Sequence, residues 1–468
     1  MHPLRWSLQA VLLGSLCACG GDPASPVIPP EDPPLSQQMD PVLADQIEAV
    51  RQAVLADRCF REQPDVSVCN WGDFAYNPSQ FAMSQNTGEA ILVIDDFPTL
   101  PPRAIRYKNR IKGYFRVNGQ GQVGAVPFSW RAPVTLFQGL STFATPDFHP
   151  AEQLRALREP LASTYGFYDA GNNAGHGSYV LSLLVEANPH QPLVLLDTLS
   201  FHNFALEDFC DASGSQASQD RLWAKASTVA SQLSGLMSAQ GVRFVNLSAG
   251  MTLEAVRQEW TTFCSGPRPD DNVLRGKLNA YRPIYDVLFH TPGVFAAQAA
   301  LSASSAQDNP FDFPSADFPN RLLVGYFTSL NSGLGADGRG PYSQIAGWPE
   351  RANVDIYVNT GVLPYRPFDY NRTPLLQVDG FGVDIQPITR ATTSWVAPLA
   401  LSRFINARYS HFNGIPMSDA LIPLVMRRML PALCDDLPGR SCMYQDPLLY
   451  GQVEAVRLNY RPREYVAP

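Results

Sequence analysis

Three side chains with complementary acid–base chemistry occur in the order Asp95, His176, Ser394, each at the edge of a regular segment. Ile91-Leu-Val-Ile94 is an apolar run of strand length that ends in two carboxylates, Asp95 and Asp96. Gly175-His-Gly-Ser-Tyr-Val180 places a His at the opening of a helical run. Ala391-Thr-Thr-Ser-Trp-Val-Ala-Pro398 places a Ser ahead of an apolar helical run, with a Pro expected in its first turn. A Ser oxygen is a weak nucleophile, a neutral imidazole can take its proton, and a carboxylate can hold the imidazole tautomer that does so. Those are the parts of nucleophilic acyl transfer. Taken singly, each residue has a plainer role as turn, packing or helix-cap residue, and Asp96 is an alternative acid. His176 is one of seven His, and the only one followed by Gly and then a helical run. Gly177 would let a neighbouring backbone approach closely.

Such distant residues converge only if the elements between them bring them to one edge. Short apolar runs at 90–94, 193–196, 243–247, 294–297 and 322–326 read as strands. Helical periodicity marks 40–57, where Val42, Leu43, Ile47, Val50, Val54 and Leu55 form one stripe. It also marks 221–239, ended by Gly241, and 276–289, with a kink expected at Pro283. Strands alternating with helices predict a three-layer α/β/α fold with a mainly parallel central sheet. Ligands of such sheets bind at the C-terminal ends of the strands, where Asp95, Ser248 and Gln298 fall. Residues 97–160 and 348–384 show no clear period and read as long insertions or surface hairpins.

With 468 residues the chain can bury a large core, and its net charge of −8 argues against nucleic acid as a partner. Near the N-terminus, Arg5 is followed by an apolar run, 8–16, too short to span a bilayer. Leu16-Cys-Ala-Cys19 then resembles a bacterial lipoprotein signal. Leu16 and Ala18 stand at the offsets that make Cys19 the lipidated residue, whereas Leu16 directly precedes Cys17. The resemblance implies a signal peptide at 1–18 and an acyl anchor to the membrane of the cell envelope, with Gly20 implying outer-membrane sorting. Residues 19–35 read as a Pro-rich tether.

Six further cysteines, an even number in an exported chain, read as disulfides with 15 possible connectivities. Proximity favours Cys59–Cys69 and Cys434–Cys442, which leaves Cys210–Cys264. No C-x-x-C pair or Cys/His cluster suggests a metal, and no D-x-D-x-D-G loop indicates Ca²⁺. No cofactor is expected.

The blocks around the three residues resemble those of the subtilases, the subtilisin-like serine endopeptidases, which share the order Asp, His, Ser. Leu92-Val-Ile-Asp95 is similar to the family's V-x-V-I-D-[ST]-G, His176-Gly-Ser-Tyr-Val180 to H-G-T-x-V-A, and Thr392-Thr-Ser-Trp-Val-Ala-Pro398 to G-T-S-x-A-x-P. Val245-Asn-Leu-Ser-Ala-Gly250 is similar to V-I-N-x-S-L-G, residues 313–325 to Y-P-A-x-Y-P-x-V-I-A-V-G, and Val354-Asp-Ile-Tyr357 to the start of V-D-V-x-A-P-G. The resemblance runs from about residue 90 to residue 406. It implies a subtilisin-like fold over 89–410, with an N-terminal extension at 36–88 and a C-terminal extension at 411–468. It implies a peptidase in which Ser394 attacks, His176 is general base then acid, and Asp95 orients His176. Ser248, Ala249 and Gly250 would pair with an extended peptide substrate.

The pattern also departs from the family. Where subtilases carry an oxyanion-hole Asn in A-A-G-N, this chain has Ala296-Ala-Gln-Ala299, leaving Gln298 as the candidate amide and Asn309 as a weaker one. Thr392 replaces a Gly, and Trp395 is bulkier than the usual Met. These departures keep open a degenerate relative that binds peptides or proteins without cleaving them. A Ser-Glu-Asp variant of the chemistry is disfavoured, because His176-Gly177 supplies the base.

Overall fold

The strongest apolar runs of the sequence become adjacent strands at the centre of one sheet. A computed structural model describes residues 39–61, 68–76, 88–97, 110–126, 128–142, 156–157, 176–177, 180–181, 183–184, 188, 191–301, 305–311, 317–327, 354–359, 375–379, 382–386, 393–429 and 442–444. The strands are β1 (Trp71–Tyr76), β2 (Ala90–Asp95), β3 (Ile111–Val117), β4 (Val123–Ala125), β5 (Phe128–Pro133), β6 (Leu193–Asp197), β7 (Val242–Leu247), β8 (Phe295–Ala299), β9 (Arg321–Phe327), β10 (Ile356–Asn359), β11 (Leu375–Asp379), β12 (Gly382–Gln386) and β13 (Cys442–Tyr444). The longer helices are α1 (Pro41–Ala56), α2 (Val134–Thr142), α3 (Gln216–Gln240), α4 (Leu253–Phe263), α5 (Asp271–Asn279), α6 (Arg282–His290), α7 (Thr393–Phe412) and α8 (Ile422–Met429).

Among the described residues the main sheet has nine strands in the order β13-β10-β9-β8-β7-β2-β6-β3-β4. Its neighbours run parallel except for the β3–β4 hairpin at one edge. Strand alternation then sorts the side chains into two layers. Leu92 and Ile94 of β2, Val194 and Leu196 of β6, and Val245 and Leu247 of β7 share one core with Leu222 and Val229 of α3, Trp260 of α4 and Leu288 of α6. The alternate residues face α7. Phe295 of β8 stacks on Phe404 of α7 at 3.6 Å between ring centroids, and Phe244 of β7 meets the same ring edge-on at 6.3 Å. The expected three-layer α/β/α architecture with a mainly parallel sheet is therefore present, and both faces of its centre are covered.

Several local expectations change. Residues 97–160 do not form a separate insertion throughout: β3 joins the main sheet beside β6, and β5 pairs with β1. Its Lys112, Gly113 and Arg116 break the apolar run that marks the central strands. In 348–384, β10 also belongs to the sheet, while β11 pairs with β12 as a hairpin. The single kinked helix expected at 276–289 is two helices, α5 and α6, with Pro283 in the first turn of α6. There its missing N–H breaks no helix bond. Helix α3 starts at Gln216, capped by Ser215, and ends at Gly241 with φ 67°. Helix α1 buries Leu43, Ile47, Val50 and Val54, but Val42 and Leu55 of the expected stripe are exposed.

Disulfides join Cys59 to Cys69 and Cys210 to Cys264. Cys434 and the side chain of Cys442 lie outside the described residues, as do Cys19 and the tether. Contacts group Asp40–Pro468 as one unit and Met1–Met39 as another. No helix among the described residues is long and apolar enough to cross a membrane.

Candidate active site

Strand β2 lies where the chain's progress across the sheet reverses, with β6 on one side and β7 on the other. The crevice beyond such a reversal is the usual ligand site of a parallel sheet. Asp95 is the last residue of β2 and alternates with Ile94, so it falls on the α7 face. Its side chain is 4% exposed. Its Oδ1 accepts the Asp96 N–H at 2.7 Å and lies 2.7 Å from His176 Nδ1. Asp95, not the exposed Asp96, therefore faces the imidazole. Burial pushes the Asp95 carboxyl up, against the opposing His176 hydrogen bond. Burial also works against a charged His176, but the hydrogen bond to Asp95 and the charges of Asp95 and Asp96 outweigh it, so the imidazole titrates above its usual range.

Two features set the His176 position. Gly177 N–H donates to Asp96 O at 2.8 Å, which ties the turn carrying His176 to the segment after β2. That segment is clamped in turn by Asp197, the residue of β6 that pairs with Asp95 in register. Asp197 accepts from Tyr114 Oη at 3.0 Å and from Arg116 Nε at 2.7 Å. Arg116 Nη2 also donates to Phe97 O at 3.2 Å, and Tyr114 Oη lies 3.1 Å from the same oxygen. The sequence reading missed this clamp, although Leu195-Leu196-Asp197 ends its strand in a carboxylate just as Val93-Ile94-Asp95 does.

Ser394 lies at the second residue of α7. Pro398 is the sixth residue, in the second turn rather than the expected first. A Pro there has no N–H to give the carbonyl four residues back, which is that of Ser394. Ser248 Oγ bonds that carbonyl instead at 3.0 Å, and Ser394 Oγ donates to Ser248 O at 3.2 Å. Asn246 Nδ2 donates to Ser248 Oγ at 2.9 Å, so the end of β7 anchors the start of α7. Trp395, next to Ser394, stacks on the His176 ring with centroids 5.0 Å apart. Asp95, His176 and the Ser394 turn thus converge at one sheet edge. Thr392 lies outside the described residues.

Gln298 does not join them. It is fully buried within β8 and paired in register with Leu247. Alternation with Phe295 and Ala297 turns it to the face opposite α7, where its Oε1 accepts from Arg321 Nη1 at 3.0 Å. Asn309 is also buried, in a turn whose Asp308 is tied to Leu253 of α4 and Arg275 of α5. The first N–H groups of a helix have no partner within it and suit an anion, and Ser394 stands in that first turn of α7.

Ser248, Ala249 and Gly250 continue beyond the end of β7 and line a cavity of about 330 Å³. Asp95, Asp96 and His176 line it as well, and Leu199, Met251, Ile284 and Leu288 give it an apolar wall. Among the described residues, no group of three or more His, Cys, Asp or Glu side chains could hold a metal ion.

No family model matches the chain, and no curated protein does. Among solved structures it is similar to a Pseudomonas sedolisin, described as a serine-carboxyl proteinase complexed with two molecules of pseudo-iodotyrostatin. The identity is 11%, the TM-score is 0.29, and the match covers 76% of this chain and 86% of that one. A likeness this distant assigns no role to any residue.

Proposed function

We propose that the chain is a serine endopeptidase of the subtilisin type, acting through an acyl-enzyme. The observation that carries this reading is the Asp95–His176 pair at 2.7 Å, with the His176 ring against Trp395 beside Ser394. Asp95 holds Nδ1, which leaves Nε2 to take the Ser394 proton as Oγ attacks the scissile carbonyl. The same imidazolium returns that proton to the leaving amine, and water then releases the acyl group. The N–H groups at the start of α7 stabilise the oxyanion in place of the absent Asn. An extended peptide lies along Ser248–Gly250 and places an apolar side chain in the cavity between Leu199 and Leu288. The chemistry calls on no cofactor. Residues 1–18 are removed, and Cys19 carries the acyl group that holds the enzyme at the outer membrane.

Labelling with a fluorophosphonate tests the reaction. The wild type is expected to label at Ser394 and to turn over peptides, and Ser394→Ala to do neither. A wild type that does neither refutes the peptidase. Metabolic labelling with palmitate, lost in Cys19→Ala, tests the anchor.

A second reading, a peptide-binding protein without turnover, draws on the Ser394 Oγ bond to Ser248 O and on Gln298 facing away. It expects peptide binding that is unchanged in Ser394→Ala, and acylation of Ser394 excludes it.

A further inference from the structure

The 2.7 Å bond from Nδ1 to Asp95 holds one atom of the His176 ring and leaves the tilt of the ring plane to other contacts. A change of that tilt would misalign Nε2 with any nucleophile. The ring face meets the indole of Trp395, 5.0 Å away between centroids and inclined by 22°. Trp395 sits in the first turn of α7, and the two Ser248–Ser394 bonds fasten that turn to β7. The plane of the base is therefore referenced to the same fastened turn that carries the nucleophile.

We propose that Trp395 is a positioning residue for the reaction proposed above: its indole face holds the imidazole plane and favours the imidazolium that forms when Ser394 gives up its proton. The charged groups around the ring are Asp95 from β2 and Asp96 from the segment after it, and Asp197 from β6 acts on both carboxylates. Trp395 adds no charge to this set. It supplies a polarisable face that attracts a cation held above it. The Met usual at this position in the resembling family has no ring to stack.

The contact stands or falls apart from catalysis, so the test reads both. The full chain is labelled with ¹³C-histidine, the His176 signals are assigned with His176→Gln, and their titration is followed by NMR. In the wild type the ring protons of His176 are displaced upfield by the indole. In Trp395→Leu that displacement disappears, and the titration midpoint falls by about 0.4 to 1.5 pH units. The fluorophosphonate rate at pH 7 drops on the order of 10-fold or more, as expected when the base is misplaced. Trp395→Phe retains most of the displacement, the midpoint and the rate, and it serves alone if Trp395→Leu does not fold. A wild type with no upfield displacement overturns the proposal. So does Trp395→Leu with an unchanged midpoint and rate, or a folded Trp395→Phe that has lost both. A wild type with the displacement but no Ser394 labelling refutes the peptidase and leaves the stack established.

Discussion

Gly177→Ala is the sharpest single test of how the base is held. A Cβ added at Gly177 would lie 2.6 Å from Asp96 O and 2.6 Å from the Phe97 ring. Relaxed carbon contacts need about 3.5 Å or more, so roughly 1 Å of overlap must be relieved. Neither neighbour yields readily. Phe97 is fully buried, and its carbonyl is held by Arg116. Asp96 O is itself the acceptor of the Gly177 N–H at 2.8 Å. The turn carrying His176 must therefore move off Asp95. Overpacking of this kind costs about 1–3 kcal/mol, which lowers the melting temperature by about 1–3 °C in a chain of this length. A displacement of about 1 Å at a catalytic group costs on the order of 10²-fold in rate. Thermal melting and the fluorophosphonate rate measure the two effects. Gly235→Ala is the control: it lies within α3 with nothing within 4 Å of the added Cβ. It should stabilise by about 0.5–1 kcal/mol and label at the wild-type rate. If Gly177→Ala melts and labels like the wild type, the packing argument for the His176 turn is wrong.

Three further outcomes are expected. The catalytic base must be neutral, and Asp95 raises the His176 titration, so the labelling rate should fall with decreasing pH around a midpoint above the ordinary value of 6.5; Asp95→Asn should lower that midpoint and cut the rate by about 10⁴, and a midpoint at or below 6.5 in the wild type would contradict the pairing. Ser248→Ala should leave the Ser394 carbonyl without its hydroxyl donor in a helix where Pro398 offers none, costing about 1–3 kcal/mol in urea unfolding; a loss below about 0.5 kcal/mol would mean that the anchor carries little weight. Replacing both Cys210 and Cys264 by Ala opens a loop with a sequence separation of 54, for which chain entropy predicts a loss of about 4 kcal/mol. Equal unfolding midpoints for the oxidised wild type and the double variant would count against that bridge as a stabiliser.

The sequence by itself determined the centre of the fold. Strands β2, β6, β7, β8 and β9 are apolar runs because both faces of a covered parallel sheet are dry, and that composition is visible without coordinates. It also ordered Asp95, His176 and Ser394, since strand ends and helix starts carry local signals such as a closing carboxylate or a Ser before an apolar run. It did not show β3 as a sheet strand, because Lys112, Gly113 and Arg116 hide its period. Nor did it turn Gln298 to its proper face: a strand alternates every residue, so one step of register separates the α7 side from the Arg321 side. Only tertiary structure paired Asp95 rather than Asp96 with His176, joined Asp197 to Arg116, handed the Ser394 carbonyl to Ser248 and laid Trp395 on the imidazole. Each of these links residues from different elements, and their separation in sequence says nothing about which side chain fills the few ångströms between them.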